Sequence, residues 1–183
     1  VGIFGIGGAD MTDVQEMIAR IIGREGGYVN HPSDHGGPTN MGVTLDALSE
    51  YRGVGVTAAD IKNLTREEAE AIFYERYWVD PGFDQLNVSS TVAEMLLDMS
   101  VHHGAFGAAK LLQKAVNVIP DGQIGAITEK AVNGTRGPIL AAAVMGERIA
   151  KLGSIITKNP SQAVFAAGWM NRMKELVNRI PNA

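Results

Sequence analysis

The chain has 183 residues, 45% of them hydrophobic and 20% charged, a formal net charge of -4 and no cysteine. That balance suits one domain with a full core, or two small lobes packed together. It gives no global basic field for nucleic acid or an anionic membrane, and it excludes disulfide staples and cysteine-type zinc sites.

The first ten residues are apolar and glycine-rich. They fall well short of the roughly 20 apolar residues of a membrane span, and no later stretch approaches that length. They read as a flexible N-terminal segment, the tail of a removable anchor or an expression remnant. From Thr12, apolar residues at Val14, Met17, Ile18, Ile21 and Ile22 recur at steps of three and four, which lines one face of a helix. Thr12 with Gln15 makes a capping box and Gly23 a natural stop.

A glycine- and proline-rich loop over 24–44 follows. Thr44 can cap a short helix through Leu45, Leu48 and Tyr51. Two stretches, 41–44 and 54–56, could pair as a small ribbon beside the loop. Thr65 with Glu68 opens a helix carrying Ala69, Ile72, Phe73, Tyr77 and Trp78, ended by Asp80-Pro81-Gly82. Ser90 can cap a helix whose Val92, Met95, Leu96, Met99 and Val101 form a buried stripe. That helix is apolar on most sides, so it is expected to run through the core. Gly104 breaks it, and 105–116 forms another, with Leu111, Leu112 and Val116 inward. Asp121-Gly122 and Gly125 read as a tight turn capping a helix. Helices over 139–157 and 161–179 close the chain, with Pro160 at the corner. The fold class is all-α with a token hairpin.

The loop is where chemistry concentrates. Five glycines and two prolines rule out regular helix there, yet it holds Glu25, Tyr28, Asn30, Asp34, Thr39, Asn40 and two histidines. Glu25 follows a helix C-terminus, where the negative end of the dipole raises the pKa of a carboxyl that is partly buried. A carboxylic acid still protonated near neutral pH is what a departing glycosidic oxygen needs. A solvated glutamate paired with Arg20 or Arg24 is an equal reading from position alone. Asp34, nine positions on, can activate a water or stabilise a cationic transition state, or it can be turn chemistry bonding its own backbone. Thr39 or Thr44 can hold a water or act as a cap. Asn30 and Asn40 can offer amides to sugar acetamides or tie the loop together. Tyr28, Tyr77 and Trp78 can stack on sugar rings, although Phe73 and Trp78 suit a core better. His31 and His35 are four apart, which aligns ligands only on a helix, and Pro32 and Gly36 argue against one; the adjacent His102 and His103 point different ways. No metal is expected. No nucleophile elbow or phosphate loop is present.

Glu25-Gly26-Gly27-Tyr28-Val29-Asn30, with Asp34, Gly36-Gly37, Thr39-Asn40 and Gly42-Val43-Thr44, resembles the signature of glycoside hydrolase family 108, N-acetylmuramidases found largely as phage or prophage endolysins. The likeness continues in Tyr77-Trp78 and 98–104. Ala108, Leu111-Leu112-Gln113, Asp121-Gly122, Gly125 and Thr128 are similar to that family's C-terminal peptidoglycan-binding module. The resemblance implies a lysozyme-like helical fold with a catalytic region at 11–104. The C-terminal region at 105–183 is short for an independent core, so it is expected to pack on the catalytic region as one unit, with a separate wall-binding module as the alternative. The resemblance also implies hydrolysis of the β-1,4 bond between N-acetylmuramic acid and N-acetylglucosamine, with Glu25 the essential acid and no cofactor. Asp34 and Thr39 fall in the order seen around the scissile bond of phage-type lysozymes, with Thr39 one residue nearer the aspartate than is usual there. His35 stands where proline is more common. Tyr28, Asn30, Asn40 and Tyr77 are the expected sugar contacts. The expected partner is bacterial peptidoglycan, met by a monomer that is made in the cytoplasm and reaches the wall through a phage pore or its own releasable anchor. Two rivals remain: a lytic transglycosylase, and a non-catalytic wall-binding or secretion-assisting protein.

Overall fold

The computed structural model describes residues 9–24, 27–29 and 37–183. They fall into two compact units, one of residues 11–76 and one of 77–183 together with 9–10.

In the first unit, α1 (Met11–Arg24) buries all five residues of the expected stripe, Val14, Met17, Ile18, Ile21 and Ile22. The helix begins one residue before the expected cap at Thr12 and runs through Gly23 rather than stopping there. Packing of the stripe outweighs the cost of an interior glycine, about 1 kcal/mol relative to alanine. The stripe meets α4 (Arg66–Tyr74), which buries Ala69, Ile72 and Phe73. As expected, Thr65 caps α4, its hydroxyl accepting from the Glu68 amide at 3.2 Å.

Between these helices lies a small ribbon of β1 (Thr39–Asn40) and β2 (Val43–Thr44), antiparallel, with Thr39 opposite Thr44 and Asn40 opposite Val43. Its two-residue turn has φ of 50° at Met41 and 77° at Gly42. Positive φ at both central residues is what a tight hairpin needs to match strand twist. The stretch 54–56, expected to pair here, forms no strand; Val54 is exposed and its carbonyl accepts from Ser49 Oγ. Val29 takes that place, bridging to Thr39. Thr44 caps α2 (Leu45–Arg52) directly, accepting from the Ala47 amide. One element was not foreseen: α3 (Ala58–Lys62), opened by a reciprocal capping box between Thr57 and Asp60 and burying Ile61.

A π-helical turn (Glu75–Val79) follows α4, begins in the first unit and ends in the second, and leads to the expected stop, where Gly82 takes φ 81°. Trp78 and Phe83 are buried with ring centroids 5.9 Å apart. The helix α5 (Ser90–His103) is the axis of this core: Val92, Met95, Leu96 and Met99 are wholly buried. Val101, expected with them, is only half-buried, and Ser89 rather than Ser90 supplies the cap. Gly104, at φ 75°, ends α5, and α6 (Ala105–Ala115) packs back on it. The long α8 (Gly137–Lys158) packs against both. Beyond it, Pro160 starts a 3-10 segment (Pro160–Phe165) before α9 (Ala166–Val177), so the last helix begins later than the pattern predicted.

The turn before α7 (Ala126–Asn133) is built around one side chain. The amide nitrogen of buried Gln113 lies within hydrogen-bond distance of Asp121 Oδ1 (2.7 Å), the Gln123 carbonyl (2.9 Å) and Thr128 Oγ1 (3.2 Å), while its oxygen accepts from the Gly122 amide (2.7 Å). Gly122 sits at φ 86° beneath the Phe106 ring, with no room for a Cβ. Among the described residues, no helix is long and apolar enough to cross a membrane.

Candidate active site

Glu25, Asn30, His31, Asp34 and His35 lie outside the described residues. The described residues supply the frame on either side of them. Helix α1 ends at Arg24, the residue before Glu25. Val29 and Thr39 then exchange both backbone hydrogen bonds, at 2.8 and 2.9 Å, which joins the two ends of the segment carrying Asn30 and Asp34. Thr39 is thus fixed from both sides, by Val29 and by its ribbon partner Thr44.

The remaining candidates sort by what their side chains already do. The Thr44 hydroxyl is committed to the α2 cap, whereas Thr39 is half-buried with no side-chain hydrogen bond among the described residues. Asn40 is 8% exposed, and its amide nitrogen donates to the Ile61 carbonyl at 3.0 Å, tying the ribbon to α3. Tyr28 is 38% exposed, enough to present a ring face. Tyr77 is half-buried and belongs to the second unit, while Phe73 and Trp78 are core.

Charge in the first unit is arranged on its surface. Arg52 grips both oxygens of Glu68, at 2.7 and 2.8 Å, and reaches Asp60 at 3.3 Å. The hydrogen bond from Arg52 holds Glu68 below the usual carboxylate range. Asp60 is lowered chiefly by its hydrogen bonds from Thr57. Arg76 pairs with Glu50 at 2.5 Å. These groups brace helices. Among the described residues, no cluster of three histidine, aspartate or glutamate side chains is placed to hold a metal ion.

Sequence reasoning missed a second polar constellation. Asp98, on the buried face of α5, is shared by two arginines: Arg148 Nη2 stands 2.5 Å from one oxygen and Arg172 Nε 2.6 Å from the other. An aspartate within an otherwise apolar stripe was the available signal, since a buried carboxylate is almost always paired.

The glycosyl hydrolase 108 model matches residues 18–104, a range that includes Glu25, Asp34 and Thr39. A model described as a predicted peptidoglycan domain matches 107–174. Among solved structures, Brucella abortus SagA is 34% identical, with a TM-score of 0.77 over 94% of this chain and 96% of its own. No curated protein matches the chain. The likeness therefore spans both units and includes the loop with its helical frame, and the chain belongs to the glycosyl hydrolase 108 family, as a glycoside hydrolase that acts on peptidoglycan.

Proposed function

We propose that the chain is an N-acetylmuramidase that hydrolyses the β-1,4 bond between N-acetylmuramic acid and N-acetylglucosamine, with Glu25 as general acid. The observation that carries this reading is the frame of the signature loop. In the chain, Glu25 falls between the end of α1 and Val29, and Asp34 falls within the segment whose two ends the Val29–Thr39 pairing joins. Family membership supplies the glycoside chemistry.

In this mechanism the glycosidic oxygen departs from C1 of the muramic acid ring and takes the proton of Glu25. A water adds to C1 and gives up a proton, and the two steps together consume one water. Placement just past the C-terminus of α1 favours the protonated form of Glu25, because the helix dipole opposes a negative charge there. Asp34 serves as base toward the water or stabilises the developing cation, and Thr39, with its backbone held on both sides, offers a hydroxyl to orient it. Tyr28 and Asn30 contact the sugars, and Tyr77 offers a further ring. Asn40 acts mainly as the brace beneath Thr39. The same reading makes the enzyme an endolysin of the phage type, acting as a monomer on the wall.

Glu25→Gln keeps the shape of the side chain and removes the proton. It is expected to lower reducing-sugar release from purified wall by about 10²-fold or more, the scale of a lost general acid. Retention of most activity would displace Glu25 from that role. Mass spectrometry of the wild-type digest gives products carrying one added water; anhydro sugars in their place would make the enzyme a lytic transglycosylase.

A further inference from the structure

The second unit holds a cavity of about 210 Å³ between α5, α8, the 3-10 segment and α9. Its lining combines a cationic part, Arg148 and Arg172 with His102 and His103, and an apolar part, Leu152, Ile155, Trp169 and Met173, together with Gln162. We propose that this cavity is a second ligand site, one that takes the free carboxylate end of a short aliphatic peptide such as the stem of the cell wall.

Charge balance is the first argument. Among the described residues one carboxylate, Asp98, serves two guanidinium groups, so the cluster keeps a positive charge that they do not compensate. Arg148 is 2% exposed, and its Nε and Nη1 have no acceptor among the described residues. Arg172 is spent only at Nε, which leaves its two terminal nitrogens without an acceptor among the described residues, on a side chain 27% exposed and so reachable. A buried cation without its counterion is unfavourable, and a planar guanidinium end matches a carboxylate with two parallel hydrogen bonds.

Shape and polarity choose the class of anion. Pockets for drug-sized ligands run to roughly 300–1,000 Å³, so this one suits a fragment rather than a disaccharide. A bare phosphate would leave the Leu152, Ile155 and Met173 lining unused. A carboxylate on a methyl-bearing residue satisfies both parts. The site lies in the region matched by the peptidoglycan domain and apart in sequence from the Glu25 loop, so it concerns where the enzyme holds the wall rather than how it cuts.

The test titrates the full chain with acetyl-D-alanyl-D-alanine, its C-terminal amide, inorganic phosphate and an N-acetylglucosamine disaccharide, read by calorimetry and by Trp169 fluorescence. The acid is expected to saturate at one site and the amide to bind at least about tenfold more weakly. Arg172→Gln should abolish binding; it leaves Asp98 and Arg148 as a one-to-one pair, so the fold has no new unpaired charge. Ile155→Trp, which fills the cavity without touching charge, should abolish binding as well. Equal binding of acid and amide, binding unaffected by both variants, preference for phosphate or the disaccharide, or no binding of the acid would each overturn the proposal. Glu25→Gln should bind the dipeptide normally, so failure of the muramidase reading and failure of this one give different results.

Discussion

The two units handle charge in opposite ways. Residues 11–76 keep their ion pairs on the surface, where Arg52, Asp60 and Glu68 lash α2, α3 and α4 together and Arg76 meets Glu50. Residues 77–183 bring an aspartate and an arginine into the interior, with a second arginine closing over them. Surface pairs are screened by water and can be rearranged at little cost. A buried pair contributes little net stability yet makes each partner indispensable, because removing one strands the others. The first unit can therefore vary its charges freely, whereas the second is committed to its own.

The sharpest way to break this contrast is Asp98→Asn. It leaves Arg148 and Arg172 facing each other without a counterion and should cost about 3–5 kcal/mol in urea denaturation, the range for halving a buried pair. A loss comparable to that of a surface substitution would erase the distinction between the units.

A smaller effect comes from acid. Burial, reinforced by nearby Arg148, pushes the His103 pKa from its ordinary 6.5 to about 4. Between those values the unfolded chain takes up a proton that the folded chain refuses. Stability is therefore complete above pH 6.5 and falls as the pH drops toward 4. Denaturation midpoints compared at pH 7.5 and 5 should decline less in His103→Gln than in wild type; equal slopes would mean that His103 titrates freely. The smallest effect belongs to Arg52→Met, which removes the centre of an exposed network and should barely move the melting temperature.

Legibility in the sequence follows the range of the interactions. The α1 stripe, the Thr65 cap and the Gly104 break are local patterns of period, hydroxyl placement and missing side chain, and all three appear in the structure. The turn at Asp121-Gly122 was readable as structure for the same reason, although the buried Gln113 at its centre was not. Helix α3 escaped notice because five residues with one buried side chain show no period. Val54 and Val56 suggested a strand by residue type alone, and Val54, standing in solvent, shows that propensity without a partner decides nothing. Asp98 offered a signal as an aspartate in an apolar stripe, but its partners were hidden because Arg172 lies 74 residues away. In the loop, Thr44 declared itself a cap by geometry, while the pattern around Glu25 and Asp34 was legible as a motif and rests on its frame.

One hydrogen bond ties that frame to ground it never advertised. The Asn40 amide reaches across to the Ile61 carbonyl, so a five-residue helix with no chemistry of its own is the footing of the strand that holds Thr39. Any change that tilts this footing, whether a swap of Thr57 or Asp60 at its front edge or an altered Ile61, is felt at Thr39, whose hydroxyl we propose orients the attacking water. On that proposal, turnover is tuned from a distance, by residues that never meet a sugar.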